Sequence, residues 1–149
     1  MDFEAAFEQH HDAVFRYLHR LTGDPDRADD LTQETFVRLL EQRSDGAGTR
    51  PWLFTVAKNL VRDRARVRSR RAELAEGPDI EPDRPDTPEQ AFERSDRRRR
   101  VRRALDRLKE RDREMLLMRE EGFSYAEIAD ATGVATSSVG ALLSRALRR

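Results

Sequence analysis

Residues 73–96 carry nine acidic and two basic side chains, few large apolar residues, and the four prolines Pro78, Pro82, Pro85 and Pro88. Proline removes a backbone donor and clashes with a preceding helical turn, and a run of like charges with little to bury stays solvated. Residues 72–95 are therefore predicted to be an extended linker, spanning on the order of 75 Å at roughly 3.1 Å per residue. The linker divides the 149 residues into two short pieces, 1–71 and 96–149. With 39% charged and 37% hydrophobic residues, neither piece has apolar material for a large core, and small helical bundles are the economical solution. The expected fold class is all-α: two small helical domains joined by an acidic, proline-rich linker.

The formal charge is zero, but the charges are sorted along the chain. Residues 1–50 hold eleven acidic against six basic groups, 51–72 one against seven, and 97–149 eight against fourteen. Screening confines a surface charge to about 8 Å, so each basic block attracts phosphate whatever the net charge of the whole.

Apolar periodicity places helices in each piece. Phe3, Phe7, Val14, Leu18 and Leu21 fall on one stripe, which Thr22-Gly23-Asp24-Pro25 ends. A second helix is expected from Asp26 to about Gln42, with Ala28, Leu31, Thr35 and Leu39 inward, Phe36 and Leu40 flanking, and Asp30, Gln33, Glu34 and Val37 opposite. Ser44 to Thr49 is a loop by composition, and Pro51 suits the first turn of a third helix reaching about Arg70. Leu53, Val56, Ala57, Leu60 and Val61 form its apolar side, while Thr55, Lys58, Asn59, Arg62 and Arg66 form a polar, basic side. Helical pattern resumes near Glu89 and carries through Leu105, Leu108, Met115 and Leu116 to a stop at Gly122.

Ser124 and Glu127 then have the spacing of a capping box, Gly133 permits a tight turn, and Thr136 or Ser137 is expected to cap a last helix burying Val139, Leu143, Ala146 and Leu147. This is the pattern of a helix-turn-helix whose second helix reads duplex DNA. Its outward face holds Thr136, Ser137, Gly140, Ala141, Ser144, Arg145 and Arg148. Arginine grips phosphate or a guanine edge, serine donates to phosphate, and glycine and alanine let the backbone approach.

Taken in order, Asp29-Asp30-Leu31-Thr32-Gln33-Glu34-Thr35-Phe36, Pro51 through Leu60, and the helix-turn-helix resemble the extracytoplasmic-function class of bacterial RNA polymerase sigma factors. The resemblance implies a region 2-like domain at 1–71 that binds core polymerase and melts the promoter, and a region 4-like domain at 96–149 that reads the upstream element. By the same resemblance, Asp30, Gln33, Glu34 and Val37 dock on polymerase. The Ser44 to Arg50 loop with Thr55, Lys58, Asn59, Arg62 and Arg66 takes the downstream element as a single strand, Asn59 reading a base edge and the cations holding backbone. An acidic linker threading the polymerase cleft, and an anti-sigma factor as a further partner, are implied too. Where the class often has Lys, Ser and Arg early in the reading helix, this chain has Gly140, Ala141 and Leu142. The run Arg97 to Arg100, which wraps all sides of a helix, reads as solvated rather than as phosphate contacts that compensate. Trp52 reads as packing rather than as a stacking platform.

The rival reading is a stand-alone helix-turn-helix transcriptional regulator, which leaves the first two motifs unexplained. An enzyme is not expected: His10, His11 and His19 are the only histidines, lie on one helix, and have no partners that complete a catalytic or metal site. No cofactor or metal is expected. Without cysteine, an apolar run of bilayer length or a basic leader at Met1, the protein is expected to be cytoplasmic, with no membrane insertion. Arg149 directly follows the reading helix, so regulation is expected from outside the chain.

Overall fold

The computed structural model describes residues 2–42, 48–74 and 88–148, and among them the chain forms seven helices and no strand. They are α1 (Phe3–Thr22), α2 (Pro25–Glu41), α3 (Thr49–Leu74), α4 (Pro88–Asp106), α5 (Glu110–Glu120), α6 (Tyr125–Thr132) and α7 (Thr136–Leu147). Of the expected 72–95 linker, residues 75–87 lie outside the described residues, and its ends are corrected: 72–74 continue α3 and 88–95 begin α4. Of the Ser44 to Thr49 loop, 44–47 lie outside them and Thr49 already belongs to α3.

Local chemistry accounts for the boundaries. The Asp2 carboxylate accepts from the Glu4 amide to start α1, and Gly23 ends it at φ 71°, a left-handed conformation costly for a residue with Cβ. The Asp24 carboxylate accepts from the Asp26 amide at 2.9 Å to start α2, with Pro25 at its first position. The expected single helix through Leu105 and Met115 is two helices, since the backbone turns at Arg107 to Lys109. There Arg113 donates to the Leu105 carbonyl at 2.9 Å, satisfying an end that would otherwise lack a partner.

Helices α1, α2 and α3 pack around Val14, Leu18, Ala28, Leu39, Leu53 and Leu60. Helices α5, α6 and α7 pack around Met115, Met118, Ile128, Val139 and Leu143. Three aromatic rings join the two groups. Tyr17 and Phe54 have centroids 4.7 Å apart, Phe54 and Phe123 4.5 Å apart, and all three are fully buried. The two halves therefore share one core: α5 lies against α1, and α6 against α3. Three edge expectations are corrected: Leu147 in the last turn of α7 is 72% exposed, and Leu40 of α2 and Phe7 of the α1 stripe are exposed as well.

Candidate nucleic-acid interface

The polar side of α3 is the first candidate surface, and the second half of the chain covers much of it. The Thr55 hydroxyl lies 2.7 Å from the Pro51 carbonyl and 3.0 Å from that of Ala131 in α6. Lys58 is only 7% exposed and its Nζ donates to the Asn59 side-chain oxygen at 3.1 Å. Burial lowers the Lys58 pKa, against the opposing influence of nearby Glu114. The Arg62 guanidinium forms a two-pronged pair with Glu114 of α5, at 2.8 and 2.5 Å, with Glu110 at 3.5 Å. That hydrogen-bonded carboxylate raises the Arg62 pKa above its ordinary value. Asn59 and Arg66 remain exposed. The expectation of an open basic face thus holds for two of five side chains. Thr55, Lys58 and Arg62 are covered because α5 and α6 dock where the sequence left only solvent.

The surrounding contacts follow the same plan. Arg50, at the start of α3, donates to the Glu121 carbonyl at 2.8 Å, stacks 4.2 Å from the Phe123 ring centroid, and lies 3.7 Å from Glu127. Arg16 and Arg20 of α1 reach the Glu121 carboxylate at 3.0 and 3.7 Å. The Tyr17 hydroxyl donates to the Glu114 carbonyl at 3.3 Å, and its burial pushes the phenol pKa well up. Arg102 of α4 donates to the Arg20 and Leu21 carbonyls at the end of α1, where the helix dipole favours a cation. None of these interdomain pairs was visible from periodicity, which reports burial within a helix but not which exposed faces meet.

The second surface is the outward side of α2. Asp30, Gln33 and Val37 are exposed and Glu34 is half-exposed, with Glu34 paired to Arg38 at 3.4 Å one turn on. Among the described residues no helix covers this face, which leaves Val37 as an exposed apolar residue among acidic ones.

The third surface is the helix-turn-helix. The capping box forms in both directions, Glu127 N to Ser124 Oγ at 3.1 Å and Ser124 N to Glu127 Oε1 at 3.0 Å. Gly133 turns the chain at φ 77°. The cap of α7 is corrected: Ala135 holds that position with no side-chain bond, so Thr136 and Ser137 lie inside the helix. The first turn of α7 therefore has no capping side chain, and the Ser138 amide donates to the Ala135 carbonyl at 2.9 Å. A groove of about 550 Å³ opens beside this turn, lined by Ser137, Ala141 and Arg145, and by Arg111 and Ser138, which pattern reading had not singled out. Thr136, Ser144 and Arg148 are exposed around it. Gly140 has a packing reason as well, since a Cβ there would stand 3.3 Å from the Tyr125 ring. Leu142 is half-buried, and Arg97 to Arg100 are exposed on α4, with Arg100 paired to Asp96.

Trp52 is half-buried against the core, as expected for packing. The histidines lie apart from this chemistry. His10 is half-buried with its pKa lowered by burial and then by Arg50, and His11 Nδ1 is 3.2 Å from the Asp12 carboxylate. Among the described residues no cluster of three or more His, Asp or Glu is placed to hold a metal ion, and no helix is long and apolar enough to cross a membrane.

Comparison with known proteins follows the same division. Residues 6–71 match the family model for Sigma-70 region 2, and residues 98–149 match that for Sigma-70, region 4. The chain is similar to the ECF RNA polymerase sigma factor EcfG of Rhodopseudomonas palustris, at 35% identity over 85% of this chain and 70% of that protein. It is similar to the RNA polymerase sigma factor YlaC of Bacillus subtilis, at 31% over 96% and 86%, and to the ECF RNA polymerase sigma factor SigL of Mycobacterium tuberculosis, at 34% over 97% and 84%. In fold it resembles a chain of the co-crystal structure of the sigma factor RpoE with the anti-sigma factor NepR from Bartonella quintana. The TM-score is 0.72 at 24% identity, covering 99% of this chain and 92% of that one.

Proposed function

This chain belongs to the extracytoplasmic-function class of RNA polymerase sigma factors, and we propose that it divides the work of promoter-specific initiation among three surfaces. Asp30, Gln33, Glu34 and Val37 of α2 dock on core polymerase. Thr55, Lys58, Asn59, Arg62 and Arg66 of α3 take the downstream element as a single strand. Thr136, Ser137, Gly140, Ala141, Ser144, Arg145 and Arg148 of α7 meet the upstream element as duplex.

The observation that supports this division best is the state of α7. Its uncapped first turn, Arg145 and Arg111 line one open groove, and a helix N-terminus flanked by arginines is suited to a phosphate backbone. The face of α2 supports the docking role, being polar with one apolar residue and unused by the fold. The domains are 1–71 and 96–149. The protein acts in the cytoplasm as an initiation subunit and catalyses no reaction itself. An anti-sigma factor is a candidate partner, given the fold shared with a sigma factor crystallised with one.

Run-off transcription with core polymerase on sheared genomic DNA, followed by sequencing of transcript starts, tests the reading. New starts sharing two upstream motifs are expected; tight duplex binding with no new start would favour the stand-alone regulator. Glu34→Lys, which gives up only a surface pair with Arg38, is expected to weaken core polymerase binding about tenfold, equal to about 1.4 kcal/mol. Anisotropy titration of labelled protein checks this, and unchanged affinity would move the docking face elsewhere. Arg145→Ala is expected to weaken upstream duplex binding and, where Arg145 contacts phosphate, to reduce the salt slope by about one. An unchanged footprint and slope would remove Arg145 from the reading surface.

A further inference from the structure

The cation on α3 placed to hold a DNA strand already has an anionic partner from the other half of the chain. Glu114 is only 2% exposed, and its two oxygens sit on the Arg62 guanidinium in the forked geometry that arginine also offers to phosphate. Glu121 lies seven residues on, just past the end of α5, and its carboxylate meets Arg16 and Arg20 of α1. Both carboxylates are nearly inaccessible, with side chains 3% and 6% exposed. The two Arg62 donors that would hold a phosphate are taken by Glu114, although 31% of the Arg62 side chain stays exposed.

Buried carboxylates are a poor way to make such a contact permanent. Apolar residues of the same volume serve a fixed interface as well or better, whereas a carboxylate holds only while its cation stays with it. Beyond the backbone bonds of α5 itself, two contacts of Glu114 cross between the halves: Arg62 from α3 to its carboxylate, and the Tyr17 hydroxyl from α1 to its carbonyl. We propose that α5 is a built-in competitor of the single DNA strand: the Glu114 carboxylate occupies the place of a backbone phosphate on Arg62 and keeps α3 closed until the two halves are drawn apart. The inference rests on the reading of α3 as the strand-binding face. Polymerase and promoter, by binding the halves separately, select the open form, and a strand binds the free protein weakly because the competent form is scarce.

The chain has no cysteine, so Glu41→Cys and Leu147→Cys, both at exposed positions, give a clean site pair for donor and acceptor dyes. Label separation and affinity for a short single-stranded oligonucleotide of randomised sequence are measured in the full-length labelled chain, with and without Glu114→Gln. The substitution keeps the side chain's size and removes its charge. Glu114→Gln is expected to move the labels apart and to tighten strand binding about tenfold by enlarging the competent fraction. Unchanged separation overturns the proposal, and so does wider separation without tighter strand binding. A measurement without the substitution guards against misfolding: adding the oligonucleotide to the Glu114 protein must itself part the labels, and a strand bound with the labels unmoved overturns the competition. Failure of the α3 reading shows elsewhere, in a holoenzyme whose promoter opening ignores Asn59→Ala.

Discussion

Phe54→Ala is expected to lower the free energy of unfolding by about 3–5 kcal/mol, the range for deleting a fully buried aromatic ring. Phe54 is 0% exposed and stands between Tyr17 and Phe123, so its loss opens a cavity between the two halves as well as within the first. Urea unfolding, followed with one probe on each half, checks this. The unsubstituted chain is expected to unfold with coincident transitions, and the variant earlier, with the transitions separated. A loss under about 1 kcal/mol with coincident transitions would mean that the ring is peripheral and that the halves do not share a core.

Asn59→Ala is expected to slow promoter opening by the holoenzyme about tenfold or more, since a side chain reading a base edge contributes about 1–3 kcal/mol of discrimination. Polymerase affinity should be unchanged. Asn59 is the more decisive substitution than Arg62 because it is exposed, its only described side-chain bond being the one accepted from Lys58, whereas removing Arg62 also strips Glu114 of its partner. Permanganate reactivity of unpaired thymines near the start site reports opening, and binding to core polymerase is measured in parallel. Normal opening with the variant would show that the strand is read by other residues.

Much of the fold and part of the site were legible in the residues alone. The α1 and α2 boundaries follow from Asp2, Gly23, Asp24 and Pro25, and the α6 start from Ser124 and Glu127, because each acts on a backbone group within four residues of itself. The buried stripes of α1 and α2 were legible for the same reason: a helical period repeats locally. The outward residues of α2 and most of those of α7 could be named because they stay exposed among the described residues, Gly140 against Tyr125 being the exception. Less legible were short-range details in which two residues compete for one role. Ala135 takes the α7 cap although Thr136 and Ser137 have the better side chains, because the turn after Gly133 sets the first helical residue at Thr136.

By itself, the sequence determined the helical class, the order of the motifs and the capping box that starts α6, all of which depend on neighbours along one chain. Tertiary structure alone decided that Tyr17, Phe54 and Phe123 form a joint core, and that Glu114 and Glu121 spend their charge on Arg62, Arg16 and Arg20. Partners separated by 52 and 105 residues leave no periodic trace. A carboxylate pointing to solvent and one pointing to a distant arginine have the same place on a helical wheel, and only packing distinguishes them.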